Sequence, residues 1–274
     1  MEYFELINLS KEPFSTTPDP AFFYKPREHT ECLHRLELSL RLKRGLNVIL
    51  GEVGTGKTTL SRFFLRDFKD DNRDYEFFLI IDPAFQSEGA FLKSLADIMG
   101  VSKYGKSMID CKNAIKNHLF DLVVGRGKTI VLFIDEGQNL NSKSIEVLRN
   151  LLNYETNEYK IIQLVILAQM EFMDLIKRHC NFADRINFTH VLNPLSREDT
   201  KEMIRYRLRN AGLDESRELF AEEALDLIYN HSSGYPRKVT MICHWALISM
   251  ITRGMDVVNG DLVHDVIGNE LRLV

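Results

Sequence analysis

The 274-residue sequence predicts an α/β fold, a five-stranded parallel sheet covered by helices, followed by a smaller all-helical region. Three observations carry this expectation. Short β-branched or aromatic runs alternate with helix-period segments as far as Leu192. A glycine-rich loop joins the first of those runs to a helix. After Asn193-Pro194 the strands cease and only helical periodicity continues.

Each element has a local reason. Residues 1–27 include the Pro-rich, aromatic stretch KEPFSTTPDPAFFYKP, too irregular for a helix and too apolar for disorder, which suits an ordered strap on the core. A helix over His29–Arg44 closes on Arg41, Lys43 and Arg44, cations that complement a helix C-terminus. Strands are expected at Asn47–Leu50, Glu76–Ile81, Thr129–Asp135, Ile161–Ala168 and Ile186–Leu192. Between them the periodicity predicts helices over Lys57–Phe68, Glu88–Met99, Met108–Val124, Ser142–Asn153 and Glu171–His179. The capping-box-like Ser196-Arg-Glu-Asp199 opens a helix over Arg197–Asn210. Helices follow over Ala221–Asn230, Tyr235–Thr252 and Gly260–Ile267, with Gly234 stopping one and Pro236 opening the next. The expected organisation is a strap at 1–27, an α/β core at 28–193 and a helical domain at 194–274.

Composition excludes several classes. A hydrophobic content of 45% supports a packed interior, and a formal net charge of −4 gives no global attraction to nucleic acid or anionic membrane. Cys32, Cys111, Cys180 and Cys243 form no CxxC pair, so reduced thiols and no structural zinc are expected. His29 and His34, five apart, do not share a helical face for a metal, and Met203, Met241, Met250 and Met255 suit core packing. The N-terminus lacks a basic-then-apolar signal pattern and no run is long enough to span a bilayer, so a cytoplasmic chain without an intrinsic membrane span is expected.

The strongest chemical signal is Gly51-Glu52-Val53-Gly54-Thr55-Gly56-Lys57-Thr58, a GxxxxGK[ST] loop between an expected strand and an expected helix, with Thr59 following. Its glycines let backbone N–H groups wrap an oligophosphate, Lys57 reaches the β and γ phosphates, and the Thr58 hydroxyl ligates magnesium. The run TIVLFI then ends in Asp135 and Glu136, charges that a buried strand must project from its C-terminal edge. Asp135 can hold magnesium through water, and Glu136 stands as a general base for a water attacking the γ-phosphate. The strand IIQLVILAQ carries Gln169 at its tip, an amide able to bond both that water and a γ-phosphate oxygen. Arg185, before the last strand, is placed on the same rim as a candidate finger for a neighbour's nucleotide, with Arg178 competing. Arg237 follows Gly234-Tyr235-Pro236 at a helix start, where a cation opposes the dipole unless an anion is near.

GEVGTGKTT, LFIDEGQNL, ILAQMEF, DRI and GYPRKV occur in the order of the P-loop, Walker B, sensor 1, arginine-finger and sensor 2 elements, and together they resemble the AAA+ ATPases. More narrowly, PFSTTPDPAFFY with GEVGTGKTT, IDEGQNL and LNPLSREDT resembles the ExeA type, the general secretion pathway protein A group. The resemblance covers nearly the whole chain. It implies an ATP-driven, magnesium-dependent homo-oligomer with an AAA+ core and a helical lid, Arg237 acting as sensor 2, and a protein partner in a secretion or pilus assembly system. ExeA-type proteins often continue into a transmembrane helix and a peptidoglycan-binding domain; neither is expected within these 274 residues.

The same core resembles TniB/TnsC-type transposition regulators, which assemble on DNA and recruit a transposase. Lys201, Arg205 and Arg209 fall on one helical face with Arg207 nearby, a stripe able to meet phosphates, although Glu198, Asp199 and Glu202 share the helix and favour a solvated face. A small-molecule P-loop kinase would share GxxxxGKT but would not need Glu136, Arg185 and a lid arginine together. The expectation is therefore an ATP-hydrolysing conformational switch.

Overall fold

The apolar runs become one five-stranded sheet in the order β2-β3-β4-β1-β5, all pairings parallel. The strands are β1 Leu46–Gly51, β2 Tyr75–Ile80, β3 Thr129–Ile134, β4 Ile162–Ala168 and β5 Ile186–Leu192, matching the expected runs closely. This computed structural model describes residues 2–15, 17, 19–71, 74–101, 104–105 and 107–269. Positions 1, 16 and 18 of the expected strap and 270–274 of the expected helical domain lie outside them. Every residue of β1, β3 and β4 is buried, which is why these strands are almost uninterrupted Val, Ile, Leu and Phe. β5, at a sheet edge, alternates between half-buried and exposed positions over most of its length.

The helices are α1 Arg27–Arg41, α2 Lys57–Asp71, α3 Glu88–Ile98, α4 Met108–Phe120, α5 Ser142–Leu151, α6 Phe172–Lys177, α7 Cys180–Ala183, α8 Arg197–Asn210, α9 Glu222–Ser232, α10 Pro236–Thr252 and α11 Gly260–Asn269. Two differ in form from expectation. The helix expected over 108–124 ends at Phe120 and continues as a π turn, Asp121–Gly125. The one expected over 171–179 shortens to α6 and is followed by the separate turn α7. Short 3-10 turns at Tyr3–Ile7, Pro20–Phe22 and Gly137–Asn139 had no periodic signal to announce them.

The chain divides into two compact units. One comprises 29–52 and 64–192 and holds the sheet. Its core packs Val48, Leu50, Leu132, Ile134, Leu164 and Ile166 with Phe91, Leu95, Ile145 and Phe172. Register places the C-terminal ends of the central strands together: Leu50 pairs with Ala168, and Ile134 pairs with Ile166.

The other unit comprises 1–28, 53–63 and 193–274. Its core joins Ile204, Leu208, Ile228, Val239, Ile242 and Leu247 with Ile7, Leu9, Phe14 and Phe22 of the N-terminal segment. The strap therefore belongs to the helical unit, a correction to the expectation that it lies on the α/β core. The reason is specific pairing: Phe14 is wholly buried and meets Phe220 edge to face at 6.0 Å. The Ser10 N–H donates to Ala211 O at 2.7 Å, Arg217 Nη1 donates to Ile7 O at 2.9 Å, and Asn210 Nδ2 donates to Ala21 O at 2.9 Å. Within this unit α8 begins as expected, the Ser196 hydroxyl accepting from the Asp199 N–H at 3.1 Å.

Candidate functional site

In an open parallel sheet, ligands gather at the carboxyl ends of the strands, where loops replace the hydrogen-bond ladder. Here β3, β4 and β1 are neighbours in that order. Gly51, Asp135 and Gln169 therefore emerge at one edge, because each stands at or just past the end of its strand. The sequence-derived carboxylates and the sensor-like amide are brought together there.

Asp135 is 4% exposed, and its Oδ1 accepts the Glu136 N–H at 2.9 Å. Glu136 is half-buried and sits in left-handed backbone at φ 53°, ψ 41°, a conformation that costs a non-glycine residue roughly 1–3 kcal/mol and clusters at functional sites. Gly137 permits the turn to lie on β4, since a Cβ there would stand 2.4 Å from Ile166 Cγ2 and 3.3 Å from Leu167 O. That approach brings Gln138 within reach of two partners. Its Nε2 donates to Glu136 Oε2, and its Oε1 accepts the Gln169 N–H at 3.0 Å. Asn139 Nδ2 donates to Asp82 Oδ1 at 3.1 Å and fastens the turn on its other side. Gln138 lies in the quoted DEGQNL motif, but nothing in the sequence alone marks it as the residue that joins the strand-end glutamate to β4.

The glycine-rich loop leaves β1 at Gly51-Glu52 and continues through Val53 into α2. Gly54 and Gly56 adopt φ of +85° and +98°, which side-chain-bearing residues rarely take. Thr55 is fully buried, Lys57 is 7% exposed, and Thr58 and Thr59 are half-buried. Within the same unit, the first turn of α10 touches this loop: Arg237 N–H donates to Gly54 O at 3.3 Å, and a Cβ on Gly54 would meet Arg237 Cβ at 3.2 Å. Pro236 occupies the first helical position, where its missing N–H costs nothing, and the following N–H at Arg237 is satisfied by the loop carbonyl. The Arg237 side chain is exposed. The loop by itself fits an oligophosphate: positive-φ glycines and a lysine suit phosphate, and the Thr58 hydroxyl is an oxygen donor of the kind magnesium takes. In the sheet-bearing unit, the Asp135 carboxylate is another oxygen donor of that kind.

Arg185 is not on this edge. Ile186 pairs with Leu46 at the beginning of β1, so Arg185 stands at the opposite, N-terminal rim of the sheet. The expectation of a shared rim is corrected for a simple reason: in a parallel sheet, a residue preceding a strand lies at the edge from which all strands start. Its side chain is half-buried, and its Nε is buried without a hydrogen-bond partner among the described residues. Arg178 is exposed and donates from Nε to Asp174 O at 3.1 Å, within its own helix turn.

The basic stripe of α8 is neutralised by neighbours. Lys201 Nζ lies 2.8 Å from both Glu222 and Asp226, Arg205 pairs with Glu202 at 3.0 Å and with Glu222, and Arg209 lies 3.5 Å from Glu202. Lys201 holds the Glu222 and Asp226 carboxyls below their ordinary range through these hydrogen bonds. No helix among the described residues is long and apolar enough to cross a membrane.

Comparison with known proteins agrees with this geometry. The AAA domain family matches residues 41–176. Over 270 residues, 95% of this chain, the sequence is 33% identical to general secretion pathway protein A of Aeromonas hydrophila, and it spans 47% of that protein. The ORC2 protein of Aeropyrum pernix, solved as ADPNP–ADP complexes, superposes with a TM-score of 0.68 at 16% identity, covering 94% of this chain and 73% of that one. The RuvB Holliday junction branch migration motor of Thermotoga maritima superposes with a TM-score of 0.59 at 16% identity, covering 90% and 72%. At these identities the structural likeness establishes the fold.

Proposed function

The chain belongs to the AAA+ ATPases, and on that premise we propose that it binds ATP with magnesium through residues 51–59 and hydrolyses it as a nucleotide-dependent oligomeric switch. The observation that supports this best is the common carboxyl edge of β3, β4 and β1, from which Asp135, Glu136, Gln169 and the phosphate loop all emerge. In this reading Lys57 and the loop N–H groups bind the β and γ phosphates, and Thr58 and Asp135 hold the metal. Magnesium, when bound, supplies charge neutralisation on the phosphoryl oxygens. Glu136 accepts a proton from the attacking water, and Gln169 orients that water. Arg237 stabilises phosphates held by its own chain, with 194–274 serving as the lid. Arg185 completes the site of a neighbouring copy.

The work driven by hydrolysis is assembly or remodelling of a partner complex. The likeness to a general secretion pathway protein supports a secretion or pilus client. A DNA-dependent role draws less support, because Lys201, Arg205 and Arg209 are each already paired with carboxylates. The test separates binding from chemistry. Lys57→Ala is expected to lose nucleotide binding, whereas Glu136→Gln keeps affinity and loses turnover. Titration with a fluorescent ATP analogue and a phosphate-release assay on both variants decide it. Ordinary turnover by Glu136→Gln removes the general-base assignment.

A further inference from the structure

The side chain of Gln138 has a single orientation that satisfies both its neighbours. The Gln169 backbone N–H can only donate, so Gln138 must turn its carbonyl oxygen toward it, which leaves the NH2 group facing the Glu136 carboxylate. An ionised carboxylate only accepts, so the pairing is matched at both ends. Glu136 is thus restrained twice. Its left-handed backbone, with the N–H on Asp135, aims the side chain, and the Gln138 amide fixes the carboxylate at the far end. Gly137, pressed on Ile166, holds the turn where this bridge can form.

We infer that Gln138 is a positioning residue for hydrolysis, tying the carboxylate of Glu136 to the backbone at the end of β4, beside the Gln169 side chain. The inference rests on the reading of Glu136 as general base. A base swinging free of that bridge spends less time aligned with the attacking water, and a misplacement of about 1 Å can cost about 100-fold in rate. Binding, which uses the phosphate loop, is untouched.

Four proteins test this: Glu136→Gln, Gln138→Ala, Gln138→Glu and the double variant Glu136→Gln/Gln138→Ala, each compared with the unaltered chain at an assembly-saturating concentration. Gln138→Ala is expected to lower kcat about 10- to 100-fold with ATP affinity within about twofold. Hydrogen exchange at the Gln169 amide should accelerate as its acceptor disappears. Gln138→Glu is the sharper variant. It keeps an oxygen for the Gln169 N–H, so exchange there should stay closer to the unaltered chain than in Gln138→Ala. It sets a carboxylate against Glu136, so kcat should fall at least as far as in Gln138→Ala. In the Glu136→Gln background, Gln138→Ala should remove nothing further from the residual rate, since coupled residues are not additive.

Full kcat in Gln138→Glu, or a loss in Gln138→Ala that appears equally in ATP affinity, overturns the positioning role. Additive losses in the double variant do the same. The Glu136→Gln arm alone reports on the general-base reading. If that protein turns over normally, both statements fall; if it is dead while the Gln138 variants are fully active, only the positioning role falls.

Discussion

At the residue scale, Glu136 carries a chemical group and an unfavourable backbone in one position. A residue with a Cβ in left-handed helix geometry gives up roughly 1–2 kcal/mol, and glycine relieves this at an entropic cost of roughly 0.5–1 kcal/mol. Glu136→Gly is accordingly expected to be more stable than Glu136→Ala by about 0.5–1 kcal/mol, although both delete the same carboxylate and both should lack turnover. Paired urea melts check this; equal midpoints would mean that φ 53° at this position carries no strain worth relieving. The strand-end acids and the phosphate loop are legible in the sequence because their residue types dictate their chemistry. Asp135 and Glu136 cannot stay inside an apolar sheet, and no glycine-poor loop could take the φ values of Gly54 and Gly56. Gln138 is illegible for the complementary reason. Its role exists only once Gly137 rests on Ile166, and that depends on how the turn packs on a strand brought in from elsewhere in the chain.

At the element scale, the strands were readable to within a residue because central parallel strands are buried on both faces and admit almost only apolar side chains. Elements held by tertiary pairing were less so. The strap has no period of its own, and its place in the helical unit follows from Phe14 meeting Phe220 and from main-chain bonds to Ala211. The turn between α9 and α10 shows both kinds of information. Ser233 and Gly234 are consecutive left-handed residues at φ 51° and +75°, and the backbone of Gly234 lies so close to Leu195 that a Cβ would stand 2.0 Å from its carbonyl oxygen. The Leu195 N–H also donates to Gly234 O at 2.9 Å. Glycine as a helix stop is predictable; the need for bare backbone against Leu195 is not. Gly234→Ala adds the left-handed penalty to an overpacking cost, together roughly 2–5 kcal/mol. The expected outcome is a clearly lowered denaturation midpoint, and a variant as stable as the unaltered chain would show that this contact relaxes freely.

At the scale of the whole molecule, the position of Arg185 bears on whether one chain can be sufficient for turnover. Ile186 pairs with Leu46, and Gly51 lies five residues further along β1, roughly 17 Å at about 3.3 Å per residue. An arginine at that rim does not serve the phosphates of its own loop. Its side chain is only half-buried, so part of it remains open to another copy. If Arg185 supplies the finger of a neighbouring site, activity per chain should rise with protein concentration until assembly saturates, and dilute monomer should be nearly inactive. Such a finger contributes about 10³ to 10⁵ in rate, so Arg185→Ala should bind ATP and lose almost all turnover. Arg178→Ala, whose Nε is held within its own turn, should retain it. Mixing Arg185→Ala with Glu136→Gln gives the decisive measurement. An Arg185 from the Glu136→Gln chain can then stand beside the intact Glu136 of the Arg185→Ala chain, and hydrolysis should reappear from two inactive proteins. Silence in a mixture that light scattering shows to co-assemble, or constant activity per chain down to demonstrated monomer, would remove the trans role of Arg185 and leave each chain to hydrolyse ATP alone.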